Sequence, residues 1–272
     1  AQQEPQEWMK NILHFGGGSS QIEQVFLYNY LRQYKEKLEA PYFGGYVRTF
    51  LKSSTEPIQI NQSDSLKQLI NNGVSLMTFF GHATGIGFDI SIDEPSEYEN
   101  AGRYPFVTAN SCYSGDLFGD YLSTSEDFIF QENKGAIGYL GATTLAGTGD
   151  LHQFSNRFFE NLAYDMYGQS IGHNIRKTIR DLQAPIYSLK FISLYSALHA
   201  DPAIVINSFP KPDYRLTQPD ISFIPKDVTA ELDSFNVRVR AVNIAKAITD
   251  SMMVELSHTL PDGSIENYLQ RI

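Results

Sequence analysis

Five short apolar runs, separated mostly by amphipathic stretches, constrain this chain more than any other feature of its sequence. They are Asn11–Phe15, Gly45–Leu51, Val74–Phe80, Phe106–Asn110 and Ala136–Leu140. Unbroken apolar runs of that length suit strands covered on both faces. Between the first two, Ile22, Val25, Phe26, Tyr30 and Leu31 recur at helical spacing over Gln21–Leu38. Before the third, Leu66, Leu69 and Ile70 share one helical face of Ser65–Asn72. Strand–helix–strand alternation predicts an α/β fold, a mainly parallel sheet with helices on both faces. A helical block is expected over Leu151–Tyr167, Ser170–Leu182 and Tyr187–Leu198. Asp201–Ile206, with Pro202 at its start, is expected as a sixth strand.

The texture changes at Phe209-Pro210-Lys211-Pro212-Asp213, which reads as a linker. Beyond it the period becomes two. Phe235, Val237, Val239 and Ala241 alternate with polar residues, and Met252, Val254 and Leu256 do the same. The chain is therefore expected to divide into an α/β domain, residues 1–210, and a small antiparallel β module, residues 217–272. The module has an immunoglobulin-like pattern, but about four strands are fewer than such a sandwich uses. It is either small or cut short.

Composition excludes several function classes. A formal net charge of −10 disfavours nucleic acid and anionic membrane surfaces. No run approaches the roughly 20 apolar residues that span a bilayer, so no membrane insertion is expected. The start, Ala1-Gln2-Gln3-Glu4-Pro5, lacks the basic and apolar regions of a signal peptide and reads as a cut inside a longer protein with further domains. The single cysteine, Cys112, excludes an intrachain disulfide and any zinc site needing two thiolates.

In parallel α/β sheets, sites form at the carboxyl ends of strands. Two ends here carry unusual text. One is Phe80-Gly81-His82-Ala83-Thr84-Gly85, and the other is Asn110-Ser111-Cys112-Tyr113-Ser114-Gly115. If their strands are neighbours, imidazole and thiol stand at one edge. A free thiol near pKa 8.5 is mostly protonated at neutral pH, and an adjacent imidazole can take its proton. Gly81, Gly85, Ser114 and Gly115 are small enough to leave room for a peptide. The backbone N–H groups of Ala83 and Cys112 are candidates for an oxyanion hole.

Gly81-His82, Tyr104-Pro105-Phe106-Val107 and Asn110 through Phe118 resemble the active-site blocks of the gingipain-type C25 cysteine peptidases. Ser125-Glu126, Lys134 through Thr143 and Asp201-Pro202-Ala203 continue the resemblance, which spans roughly residues 8 to 207. It implies a caspase-like α/β fold, a Cys112 nucleophile with His82 as general base, a polypeptide substrate and no required cofactor. It also implies an extracellular or cell-surface bacterial setting, with the signal peptidases of type IX secretion as one related subgroup. Ala83-Thr84 departs from the Gly-Ser that many members have after the histidine. The family often orients its histidine with an acid, and Glu23 is the candidate. The competing reading of Glu23 is a first-turn residue that complements the helix dipole.

Other candidates are weaker. His14 lies within a strand and is expected to be a packed core residue. His152, His173, His199 and His258 have no ligand partner at metal spacing. The acidic loop Asp89, Asp93, Glu94, Glu97 and Glu99 leaves structural calcium open, although a solvated loop near the cleft fits its spacing better. Gly16–Gly18 lacks the endings of a dinucleotide fingerprint or P-loop. A pocket for a basic side chain would need a buried acid, and Asp89, Asp116 and Asp120 are all available. Two functions stay open: a cysteine endopeptidase, and a catalytically silent surface binding or secretion module that keeps the peptidase fold.

Overall fold

The computed structural model describes residues 4–57, 64–84, 87–90, 92, 94–183, 187–207, 209–216, 220–229 and 231–272. Gly85, Asp93 and Thr217, each singled out by the sequence, lie outside them. Six strands form the central sheet: β1 Asn11–Gly16, β2 Tyr46–Leu51, β3 Leu76–Phe80, β4 Phe106–Asn110, β5 Gly138–Ala142 and β6 Ser196–His199. Their order is β2-β1-β3-β4-β5-β6. The first five are parallel, and β6 closes the edge antiparallel to β5. The chain steps from β1 out to β2, then crosses back to β3 on the other side of β1. A crevice opens at such a reversal, beyond the carboxyl ends of β1 and β3.

The period-two alternation of the strands sorts the core into two layers. Ile12, Leu76, Phe80, Phe106 and Leu140 face helices α1 (Gln21–Glu39), α4 (Thr148–Glu160) and α6 (Tyr187–Tyr195). Leu13, Phe15, Met77, Phe79 and Val107 face α2 (Asp64–Asn72) and α3 (Thr124–Ile129). In α1 the buried stripe is Leu27, Leu31, Tyr34 and Leu38. Ile22, Val25 and Phe26, which share the helical spacing, are exposed.

The expected strand at Asp201–Ile206 does not form. Asp201 instead closes a turn, its Oδ1 accepting the Ala203 N–H at 2.8 Å. The carbonyls of Pro202 and Ile204 then accept the N–H groups of Gly172 and Ile171, at the start of α5 (Ile171–Leu182). The sixth strand is the tail of the expected helix Tyr187–Leu198, which unwinds after Tyr195. Strand β5 also runs two residues later than the apolar run suggested. Its approach is fixed by Ala136 N–H on the Phe128 carbonyl and Ile137 N–H on that of Pro105.

Beyond residue 210 the described strands pair only with one another. Ile221–Ile224 pairs with Asn236–Val239, Tyr214–Arg215 with Val242–Asn243, and Met253–Thr259 with Ile265–Arg271. All three are antiparallel two-stranded ribbons. Lys10 ties this region to the α/β layers. It is fully buried, and its Nζ donates to the carbonyls of Phe43, at 2.6 Å, and Ala245. Tyr42 and Ala247 exchange backbone hydrogen bonds beside it. Burial pushes the Lys10 ammonium down to about 8.

His14 is the buried strand residue that the sequence suggested, at 0 % exposure. Burial, and then the charge of Lys35, push its imidazole down to about 3. The folded state therefore refuses a proton that the unfolded chain accepts below its ordinary value near 6.5. This component of stability is intact above pH 6.5 and is lost progressively as pH falls from there toward 3. At pH 5 the loss from His14 alone is on the order of 2 kcal/mol. His14→Leu should flatten the fall in stability between pH 7 and pH 5, measured by urea unfolding. Parallel pH dependences for the variant and the wild type would show that His14 is not its source.

Candidate active site

Three of the predicted site residues follow three adjacent strands. Glu23 lies in the first turn of α1 after β1, His82 lies two residues past β3, and Cys112 lies two residues past β4. Phe80 pairs with Asn110 in register, so His82 and Cys112 are equally far beyond the last paired residues of neighbouring parallel strands. The Gly81 N–H on the Asn110 carbonyl, 3.3 Å, carries the contact past the strand end. Asn110 is buried, donates Nδ2 to the Phe79 carbonyl at 3.1 Å and accepts a hydrogen bond from Ser155 of α4. Both loops thus leave the sheet from a fixed platform.

Glu23 reaches His82. Its Oε1 lies 2.9 Å from His82 Nε2, and its Oε2 accepts the Ser19 N–H at 2.7 Å and the Ser19 hydroxyl at 2.8 Å. Ser20 caps the helix and accepts the Glu23 N–H at 3.3 Å. Burial alone would raise the Glu23 carboxyl. The Ser19 backbone and hydroxyl, followed by His82, outweigh it and hold the group below its usual range. The imidazole is more than half exposed.

Cys112 is a partly buried free thiol. Its Sγ lies 3.7 Å from the carbonyl oxygen of Ala146, in the loop after β5, and no hydrogen bond joins it to His82 among the described residues. Tyr113 follows in the left-handed region at φ 54° and donates its N–H to the Thr144 carbonyl at 3.1 Å. The thiol therefore sits between the histidine loop and the loop after β5. Ala83 and Phe88 pair in a small hairpin, Ala83–Thr84 against Gly87–Phe88. The neighbouring pair, His82 and Asp89, is hydrogen-bonded through Asp89 N–H to the His82 carbonyl at 2.9 Å. Antiparallel ladders alternate, so Ala83 belongs to a non-bonded pair and its N–H points away from the hairpin partner. The Cys112 N–H has no backbone partner among the described residues.

Gly81, Ser114 and Gly115 do a different job from the one the sequence suggested. A Cβ on Gly115 would lie 2.9 Å from the Gly141 backbone, and one on Gly81 would lie 2.6 Å from Asp89 Oδ1. Ser114 is fully buried and bonds the carbonyls of Ala109 and Ser111. These positions are filled by protein and set how closely the loops pack. The acidic loop is not simply solvated, because Asp89 is buried against Lys52 at 3.3 Å and Glu97 pairs with Lys67. Asp116 accepts from Phe118 N–H and Tyr121 hydroxyl, and Asp120 is exposed. Of the other histidines, His152 stacks on Tyr30 at 3.7 Å, and His199 is on the edge strand β6.

The model of peptidase family C25 matches residues 1–207. The chain belongs to that family. Among solved structures, one described as that of a protease superimposes with TM-score 0.59 at 11% identity, covering 98% of this chain and 68% of that one. The Arg-specific cysteine proteinase gingipain R (RgpB) gives 0.54 at 14%, covering 97% and 67%. A complex of the Porphyromonas gingivalis RgpB pro- and mature domains gives 0.54 at 11%, covering 97% and 68%. At such identity the likeness is one of fold. No curated protein matches the chain.

In this C25 chain, sequence reasoning missed Ser19, Asn110 and the Lys52–Asp89 pair. Ser19 could have been noticed, since a hydroxyl next to the Ser20 cap is placed to meet a first-turn carboxylate. The other two depend on contacts between distant segments. Gly115 gives the direct test of the packing. Gly115→Ala would press a methyl group onto the Gly141 backbone and should cost about 1–3 kcal/mol. Gly149→Ala, in α4 with nothing within 4 Å of the new Cβ, should be neutral or gain up to about 1 kcal/mol. Equal unfolding midpoints in urea for the two variants would refute this account of the turn after β4.

Proposed function

We propose that this chain is a secreted or cell-surface bacterial cysteine endopeptidase, acting on polypeptides through Cys112, His82 and Glu23. The observation that carries the reading is the placement of the three residues past three adjacent strands, with His82 and Cys112 in matching register. In this mechanism His82 takes the thiol proton and the Cys112 sulfur attacks the scissile carbonyl. The carbonyl oxygen becomes an oxyanion, met by the N–H groups of Ala83 and Cys112. Collapse expels the amine, which receives the proton from His82, and leaves a thioester. Water, deprotonated by His82, then attacks the thioester and releases the acid product and the thiol. Glu23 accepts the imidazole N–H and stabilises the imidazolium as it forms. The arginine specificity of gingipain R is not carried over, because Asp89, the buried one of the three acids, is already paired with Lys52.

One observation favours a second reading, a silent binding or secretion module: the thiol meets the Ala146 carbonyl rather than His82. Resting peptidases often hold such contacts loosely and tighten them on substrate, which is why the first reading is preferred. A thiol-reactive peptide electrophile separates the two. Labelling of the wild type, lost in Cys112→Ala and in His82→Ala, is the expected result. Glu23→Gln should keep the fold and slow labelling by about ten- to a thousand-fold. A wild type that resists labelling, or a His82→Ala variant labelled at the wild-type rate, would overturn the peptidase reading. Superimposable pH profiles for wild type and Glu23→Gln would remove Glu23 from the mechanism and leave a dyad.

A further inference from the structure

Asp89 lies directly under the histidine loop yet has no part in the proposed chemistry. It is 6 % exposed. Its Oδ2 accepts the Gly18 N–H at 2.8 Å and faces Lys52 Nζ at 3.3 Å, with both side chains almost wholly buried. Its own N–H donates to the His82 carbonyl at 2.9 Å. One residue therefore joins three segments: the turn between β1 and α1, the hairpin that begins at His82, and the chain just beyond β2.

The turn matters because of what comes next along it. Gly18 N–H goes to Asp89, and the adjacent Ser19 N–H goes to Glu23. Two successive amides thus hold two carboxylates, one beneath the imidazole loop and the other against the imidazole. The remaining oxygen, Asp89 Oδ1, has no hydrogen-bond partner among the described residues and is wedged between glycines. A Cβ on Gly17 would lie 2.0 Å from it and one on Gly81 2.6 Å from it. Lys52 is anchored in turn, its N–H on the Gly16 carbonyl at 2.7 Å and its Nζ on that of Pro57 at 3.3 Å. Gln24 fastens the same turn by donating to the Gly18 and Ser54 carbonyls.

We propose that Asp89, held by Lys52, is a positioning residue that sets the Glu23–His82 contact by fixing the Gly18 turn against the His82 hairpin. The proposal rests on the reading of Glu23 and His82 given above. A group that holds a supporting shell in place typically matters by about ten- to a hundred-fold in activity, and a misplacement of about 1 Å is enough to cause it.

The test is a double-mutant cycle on the full chain, read as the second-order rate of Cys112 alkylation by a peptide chloromethyl ketone. Asp89→Asn should slow alkylation by about ten- to a hundred-fold. In the Glu23→Gln background the same change should add almost nothing, because the contact it positions is already gone. Independent, multiplying effects would overturn the proposal and make the pair merely structural. If Asp89→Asn does not fold, Asp89→Asn combined with Lys52→Met removes both buried charges and enters the same cycle. A second readout needs no turnover. In protein labelled with 15N-histidine, exchange of the His82 ring N–H with water should be slowed in the wild type and fast in both Asp89→Asn and Glu23→Gln. Slow exchange retained in Asp89→Asn would overturn the proposal. A wild type inert to the electrophile would overturn the peptidase reading alone, and ring exchange would still decide the positioning role.

Discussion

The candidate site depends on the in-register pairing of β3 with β4. Parallel strands lie about 4.8 Å apart, and they end together here, Phe80 beside Asn110. A slip of one residue would turn every side chain to the opposite face, exchanging the layer that packs against α1 with the one that packs against α2. The two layers are not interchangeable. Phe80 and Phe106 face the helices α1, α4 and α6, whereas Phe79 and Val107 face α2 and α3. The hydrophobic core thus enforces the register, and the register sets His82 and Cys112 level with each other. Core packing and candidate chemistry share one constraint.

That constraint explains how much was legible in the sequence. Apolar runs reveal strands because burial on both faces leaves a continuous signal, and the residues just past each run are then exposed at an edge. His82 and Cys112 could be found in this way. The edge strand β6 could not, because Ser196–His199 is only half-buried and carries no such run. Asp201–Ile206 misled for the opposite reason: it carries an apolar run, but its carbonyls serve the start of α5.

Glu23 shows a subtler limit. Two helices begin with Ser-x-x-Glu, the pattern of a capping box. In α3, Glu126 returns to the Ser123 backbone and completes the box. In α1 the same spacing, Ser20 to Glu23, ends differently. Ser20 caps the helix, but the carboxylate turns to Ser19 and His82. Nothing within the helix itself decides between the two readings of Glu23. What separates them is a histidine supplied by a strand some sixty residues away in sequence, which no local pattern records.

The two ion pairs near this edge are suited to different tasks. Glu23–His82 keeps its imidazole more than half open to solvent, and a pair so open to water is worth only about 0–1 kcal/mol. Its geometry must therefore be imposed from elsewhere, through Ser19 and the turn that precedes it. Lys52–Asp89 is almost wholly dry, and taking both charges out of water is costly even when they meet. A purely stabilising role would be served as well by apolar side chains of similar volume. What apolar side chains could not do is accept the Gly18 N–H with one carboxylate oxygen. The buried pair combines a fixed charge, a backbone acceptor and a shape that fits between Gly17 and Gly81. Those are the requirements for joining a turn and a hairpin so closely that a partly buried carboxylate and an exposed imidazole meet at 2.9 Å.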